Sequence, residues 1–81
     1  MTLRLLFFTQ LREMVGQAEV CWELPPGSCV RDLERLLATK MPQSAPLLPS
    51  ITFAVNNEYV QRDTLLHDGD VVALISPISG G

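Results

Sequence analysis

Few residues here have the type and spacing to do chemistry. One histidine, His67, sits beside Asp68-Gly69-Asp70. A single imidazole without a nucleophile or carboxylate cluster around it makes no catalytic constellation, so His67 is expected at the surface. Cys21 and Cys29 form neither a CxxC pair nor a metal-ligand spacing. Cys29 opens a helical pattern, where a thiol pKa can fall. Free cysteines more often pack as small hydrophobes, and that is the expectation for both. The remaining chemical group is at the end of the sequence, Gly80-Gly81. An α-carboxyl has a pKa of about 3.3–3.7, so it is anionic at pH 7 and a poor electrophile until a leaving group is attached. Neither glycine has a Cβ, so a narrow slot could admit this backbone. The six residues 76–81 would reach roughly 20 Å if extended. A frayed terminus is the plain alternative.

The elements that position such a tail follow from periodicity. Residues 71–75, Val-Val-Ala-Leu-Ile, read as a buried strand, and Pro77 stops pairing beyond it. At the other end, 2–8 reads as a strand with apolar residues on both faces. Leu3, Leu5 and Phe7 share one face, Leu6 and Phe8 the other. Thr9 is placed to cap a short helix over 10–15 with Leu11, Met14 and Val15 inward, and Gly16 ends it. The alternating stretch 19–24 predicts a second strand, stopped by Pro25-Pro26-Gly27. Ser28 is a good N-cap for the main helix, 29–40, whose Val30, Leu33, Leu36, Leu37 and Met41 fall at helical spacing. Three prolines make 42–50 a loop. Strands over 51–55 and 58–60 flank Asn56-Asn57, a turn that needs positive φ. Asp68-Gly69-Asp70 is a further turn signal.

The expected layout is α+β, a domain over 1–75 and an extended tail over 76–81. One long helix covers one face of such a sheet. Leu6 and Phe8, with one parity of the last strand, are then left on the other. An apolar sheet face of this kind marks a protein partner unless the short helix or the proline loop covers it. Phe8, Tyr59 and Ile75 are the expected anchors.

Composition excludes several classes. With 81 residues the chain is one domain, and 47% hydrophobic content makes it globular. The net charge is -3 and the basic residues are scattered, so nucleic acid is not an expected partner. No apolar run approaches the ~20 residues of a membrane span. The N-terminal residues do not have a signal-peptide layout, and a cytoplasmic protein with free thiols is expected.

The sequence resembles one family over almost its whole length. Leu6-Phe7-Phe8-Thr9-Gln10-Leu11-Arg12-Glu13 with Gly16 is similar to the opening of the molybdopterin synthase small subunit. Val55-Asn56-Asn57-Glu58-Tyr59-Val60, Leu66 and Asp68-Gly69-Asp70-Val71 are similar to its middle, and Ile75-Ser76-Pro77-Ile78-Ser79-Gly80-Gly81 to its ending. Ser76 stands where the first of two prolines is usual. The resemblance implies a β-grasp, or ubiquitin-like, fold: a mixed sheet with one main helix on one face and the first and last strands parallel at its centre. It implies that Gly81, preceded by Gly80, is adenylated by an ATP-using activating enzyme. A sulfur donor protein then converts the end to a thiocarboxylate. The tail, with Pro77, Ile78 and Ser79, enters the synthase large subunit in a heterotetramer and passes sulfur to cyclic pyranopterin monophosphate. No bound cofactor or metal is implied. Other sulfur carriers, for thiamine or tRNA thiolation, share the fold and the Gly-Gly. A modifier conjugated to lysines and an interaction domain with an inert tail also remain open.

Overall fold

The computed structural model describes residues 1–76; Pro77, Ile78, Ser79, Gly80 and Gly81 lie outside the described residues. Five strands form one sheet: β1 (Thr2–Phe7), β2 (Glu19–Glu23), β3 (Thr52–Val55), β4 (Glu58–Val60) and β5 (Val71–Ile75). The order is β2-β1-β5-β3-β4. The first and last strands lie at the centre and run parallel, with Leu5 beside Val72 and Phe7 beside Leu74. All other pairings are antiparallel. This is the β-grasp architecture.

One face of the sheet builds the core. Leu3, Leu5 and Phe7 of β1, Phe53 of β3, and Val72 and Leu74 of β5 are buried together with Val30, Leu33 and Leu37. Those three belong to helix α2 (Val30–Lys40), which crosses this face. Each fully buried Leu or Phe contributes roughly 1.5–3 kcal/mol. Val20 and Trp22 of β2 point the same way, opposite Leu5 and Leu3. The Lys40 ammonium lies 5.4 Å from the Trp22 ring centroid, closing the core at the end of α2.

The cap of α2 differs from expectation. Cys29, not Ser28, is the N-cap. Its N–H donates to Asp32 Oδ2 at 2.9 Å. That bond, then the Cys29 thiol, holds the Asp32 carboxyl below the ordinary carboxylate range. The Ser28 hydroxyl turns back instead, donating to the Pro25 carbonyl at 2.7 Å and closing the proline turn.

The stretch expected as loop contains two 3-10 turns, Pro42–Ser44 and Leu48–Ser50. Arg62 fastens the second of them. Its Nη2 donates to the Leu48 carbonyl at 2.9 Å and the Ile51 carbonyl at 3.2 Å, while Nε pairs with Glu34 at 2.9 Å. Helix α1 (Thr9–Val15) sinks Leu11 into the core beside the first 3-10 turn. Met14, expected inward, is exposed, because the short helix turns its Leu11–Val15 stripe to the core and Met14 falls beside it.

The two turn signals have structural explanations. Asn56 and Asn57 both adopt positive φ, 50° and 70°, as the tight hairpin between β3 and β4 requires. In Asp68-Gly69-Asp70, Asp68 Oδ1 accepts the Thr2 N–H at 2.7 Å and Gly69 donates to the Thr2 carbonyl at 2.8 Å. Asp70 accepts from the His67 N–H and from Asn56 Nδ2. The run joins the start of β5 to the start of β1. His67 is exposed, as its isolation in the sequence suggested.

Candidate partner face and tail root

Among the described residues, no helix lies on the other face of the sheet. Both segments that could have covered it, α1 and 42–50, pack on the α2 side instead, through Leu11, Leu47 and Leu48. Register assigns the residues of the open face. Glu19 lies opposite Leu6, Leu6 beside Ala73, Ala73 opposite Ala54, and Ala54 opposite Tyr59. Next to that row Ile75 lies opposite Thr52. Phe8 follows β1 with extended dihedrals, φ −127° and ψ 154°, so it continues the strand's alternation and falls on the side of Leu6.

Exposure separates the faces. Phe8 is 43% exposed and Tyr59 75%, while Phe7, one residue from Phe8, is 1% exposed. Leu6, Val71, Ala73 and Ile75 are half-buried. Together they make an apolar strip along β1 and β5, with Tyr59 standing at one edge. Ala54, missed in the sequence, lies between Ala73 and Tyr59 in this row and is buried. The opposite edge is charged. Arg4 grips Glu19 through two hydrogen bonds, at 2.7 and 2.9 Å. The pair holds the Glu19 carboxyl below its usual range and raises the Arg4 guanidinium. Cys21, expected to pack, is exposed on this face opposite Arg4, because β2 is an edge strand with one side on the core.

The strip ends where the tail begins. Ser76 was expected as the first tail residue, yet it is buried to 1% exposure. Its hydroxyl meets the Thr9 hydroxyl and lies 3.4 Å from the Phe8 carbonyl. Thr9, expected as a cap, makes no cap bond; Phe8 is the N-cap. Thr9 instead adopts φ 50°. For a β-branched residue that region costs of order 1–3 kcal/mol. Neither role had a sequence signal, since the two residues are far apart in the chain. Gly80 and Gly81, the expected reactive end, lie outside the described residues.

Among the described residues no group of three His, Cys, Asp or Glu side chains could hold a metal. No helix there is long and apolar enough to cross a membrane.

The ThiS family pattern matches residues 5–81. The chain belongs to the ThiS family. The molybdopterin synthase sulfur carrier subunit of Chlamydomonas reinhardtii is 37% identical over the full length of both chains. The small archaeal modifier protein 3 of Haloferax volcanii is 33% identical, again over the whole of both. Among solved structures, a chain of the Helicobacter pylori complex of subunits 1 and 2 of molybdopterin-converting factor superposes with a TM-score of 0.72. It is 22% identical and covers all of both chains, a likeness of fold. The ThiS-family chain thus has carriers and modifiers among its relatives, and the open face and tail root are the parts of it left unexplained by folding alone.

Proposed function

We propose that this chain is the sulfur-carrying small subunit of a molybdopterin synthase, working in the cytoplasm. The observation that carries the reading is the open apolar face, which runs to the tail root in a chain matched end to end by a named sulfur carrier subunit. Phe8, Tyr59 and Ile75 anchor the face to the synthase large subunit. Pro77, Ile78, Ser79 and Gly80 lead the terminal Gly81 into that subunit's active site. The β-grasp domain acts as a handle, and the chemistry belongs to the Gly81 carboxylate. One carboxylate oxygen attacks the α-phosphorus of ATP on an activating enzyme, and pyrophosphate leaves. The terminal sulfur of a donor-protein persulfide then displaces AMP to give an acyl disulfide. A second thiol cleaves its S–S bond, forming a disulfide with the donor cysteine and leaving Gly81 as a thiocarboxylate. Its sulfur, the better nucleophile, bonds to cyclic pyranopterin monophosphate. Water then cleaves the acyl C–S bond, which leaves the sulfur on the pterin and restores the Gly81 carboxylate. ATP is consumed by the activating enzyme; this chain holds no cofactor of its own.

Deleting Gly81 tests the reading. It withdraws the end by about 3.3–3.6 Å. Transfer to the pterin precursor should fall by at least a hundredfold, roughly the cost of a 1 Å misplacement. The melting temperature should not change, because a terminus contributes little packing. A Gly81-deleted chain that still converts the precursor at full rate overturns the proposal.

A second reading, a modifier conjugated to lysines, is favoured by the end-to-end match to a small archaeal modifier. Intact mass spectrometry after incubation with the activating enzyme, ATP and sulfur donor separates the two. A carrier gains the mass difference between sulfur and oxygen. A modifier instead appears attached to lysine side chains with loss of water.

A further inference from the structure

The open face and the last described residue meet at one contact that neither the fold nor the interface requires. Ser76 is buried at the end of β5, and Thr9 is held at positive φ immediately after Phe8. Their hydroxyls touch across the chain. The Ser76 hydroxyl also lies 3.4 Å from the Phe8 carbonyl. Thr9 Oγ1, Ser76 Oγ and the Phe8 carbonyl are thus linked in a row, with either hydroxyl able to donate to the other. A glycine would meet the backbone demand at position 9 without strain. The residue present instead brings a hydroxyl to this spot.

We propose that Thr9 and Ser76 form a positioning clamp that aims the C-terminal segment relative to the partner face. The proposal rests on the reading of the chain as a sulfur carrier. Phe8 presents its side chain to the partner while its carbonyl holds Ser76. The clamp thereby ties the tail's point of departure to the anchor that seats the domain. A reactive end on an untied root would search more directions after docking, and misorientation of the reacting group lowers the rate without weakening the docking.

Both hydroxyls can be removed without breaking the fold. The Phe8 carbonyl also accepts the Arg12 N–H at 3.3 Å, so Ser76→Ala leaves it a partner. Thr9 is exposed, and Thr9→Val keeps its shape and its strain. Thr9→Ser is the conservative control, since it keeps the hydroxyl.

The full chains, loaded with chemically supplied thiocarboxylate, are assayed with the large subunit in single turnover. Thr9→Val and Ser76→Ala should each slow sulfur transfer about tenfold, a fraction of the loss from a 1 Å misplacement. Affinity for the large subunit should stay within about twofold, and Thr9→Ser should transfer at the wild-type rate, because neither docking nor the hydroxyl is disturbed. In the same samples the NMR order parameter of the Ser76 amide should be near the rigid value of about 0.85 in wild type and Thr9→Ser, and lower in Thr9→Val. Unchanged transfer in Thr9→Val overturns the clamp, as does an unchanged Ser76 order parameter. If loaded wild-type chain transfers no sulfur, the carrier reading fails. The clamp is then decided by the order parameter, whose fall in Thr9→Val supports it.

Discussion

Phe7 and Phe8 are neighbours in sequence and opposites in the fold. Phe7 is enclosed with Leu3, Leu5 and Leu74 beneath α2, and Phe8 stands exposed on the face that no described helix covers. The contrast extends through the central strands. Val72 and Leu74 are buried, while Val71, Ala73 and Ile75 between and beside them are half-covered. Both faces are apolar, so hydrophobicity alone does not distinguish core from surface here. The difference lies in what is available to cover each face. One eleven-residue helix and two short flanking segments are enough for one side of the sheet. A small domain that keeps apolar strands on its bare side retains that side for another protein.

Substitutions at the two phenylalanines set the contrast at its sharpest. Phe7→Ala should cost about 3–5 kcal/mol of stability, through lost transfer energy and the cavity left in the core. That is a large fraction of what a domain of this size possesses, and chemical denaturation should show the midpoint collapse. Phe8→Ala should leave the midpoint nearly unchanged and weaken binding to the large subunit by about 1–3 kcal/mol, measured calorimetrically. If Phe8→Ala instead unfolds the domain, the two faces are not functionally distinct. Tyr59→Ala should fall in the same direction as Phe8→Ala with a smaller loss of affinity, since its ring stands at the edge of the strip.

Acid provides the gentlest comparison. Asp32 on the core side and Glu19 on the open face are both held below their ordinary range. A depressed folded pKa means that the unfolded chain binds the proton more readily. The associated stability is therefore present above about pH 4 and is lost as pH falls through the folded value. Asp32→Asn should flatten the acid limb of a stability-against-pH curve, because its partner is the helix's own N-terminal N–H. Glu19→Gln should flatten it less, and added salt should erase the difference, because the Arg4–Glu19 pair is exposed and screened. A larger effect from Glu19 would show that the open face contributes more to folding than its exposure suggests.

Much of this arrangement was legible in the residues themselves. Period-2 alternation placed Leu3, Leu5 and Phe7 opposite Leu6 and Phe8, and the 3.6-residue spacing of Val30, Leu33 and Leu37 identified the helix that covers the first set. Asn56-Asn57 announced its positive φ, and Gly16 its left-handed helix end. These signals are local: they depend on backbone sterics and on side-chain direction within a few residues. Ser28 lost the cap to Cys29 in an equally local competition, because its hydroxyl found the Pro25 carbonyl and Asp32 could reach the Cys29 amide, each three residues away. Other features were decided only when distant segments met. Cys21 faces outward because Val20 and Trp22 take the core side of edge strand β2, and Met14 because α1 turns Leu11 and Val15 to the core. Arg62 ties the second 3-10 turn to α2 through partners brought together by folding. Thr9 and Ser76 meet because β1 and β5, at opposite ends of the chain, become parallel neighbours. Sequence periodicity determines which face a residue belongs to, but the partner it meets there is set by the closure of long loops, which no local pattern encodes.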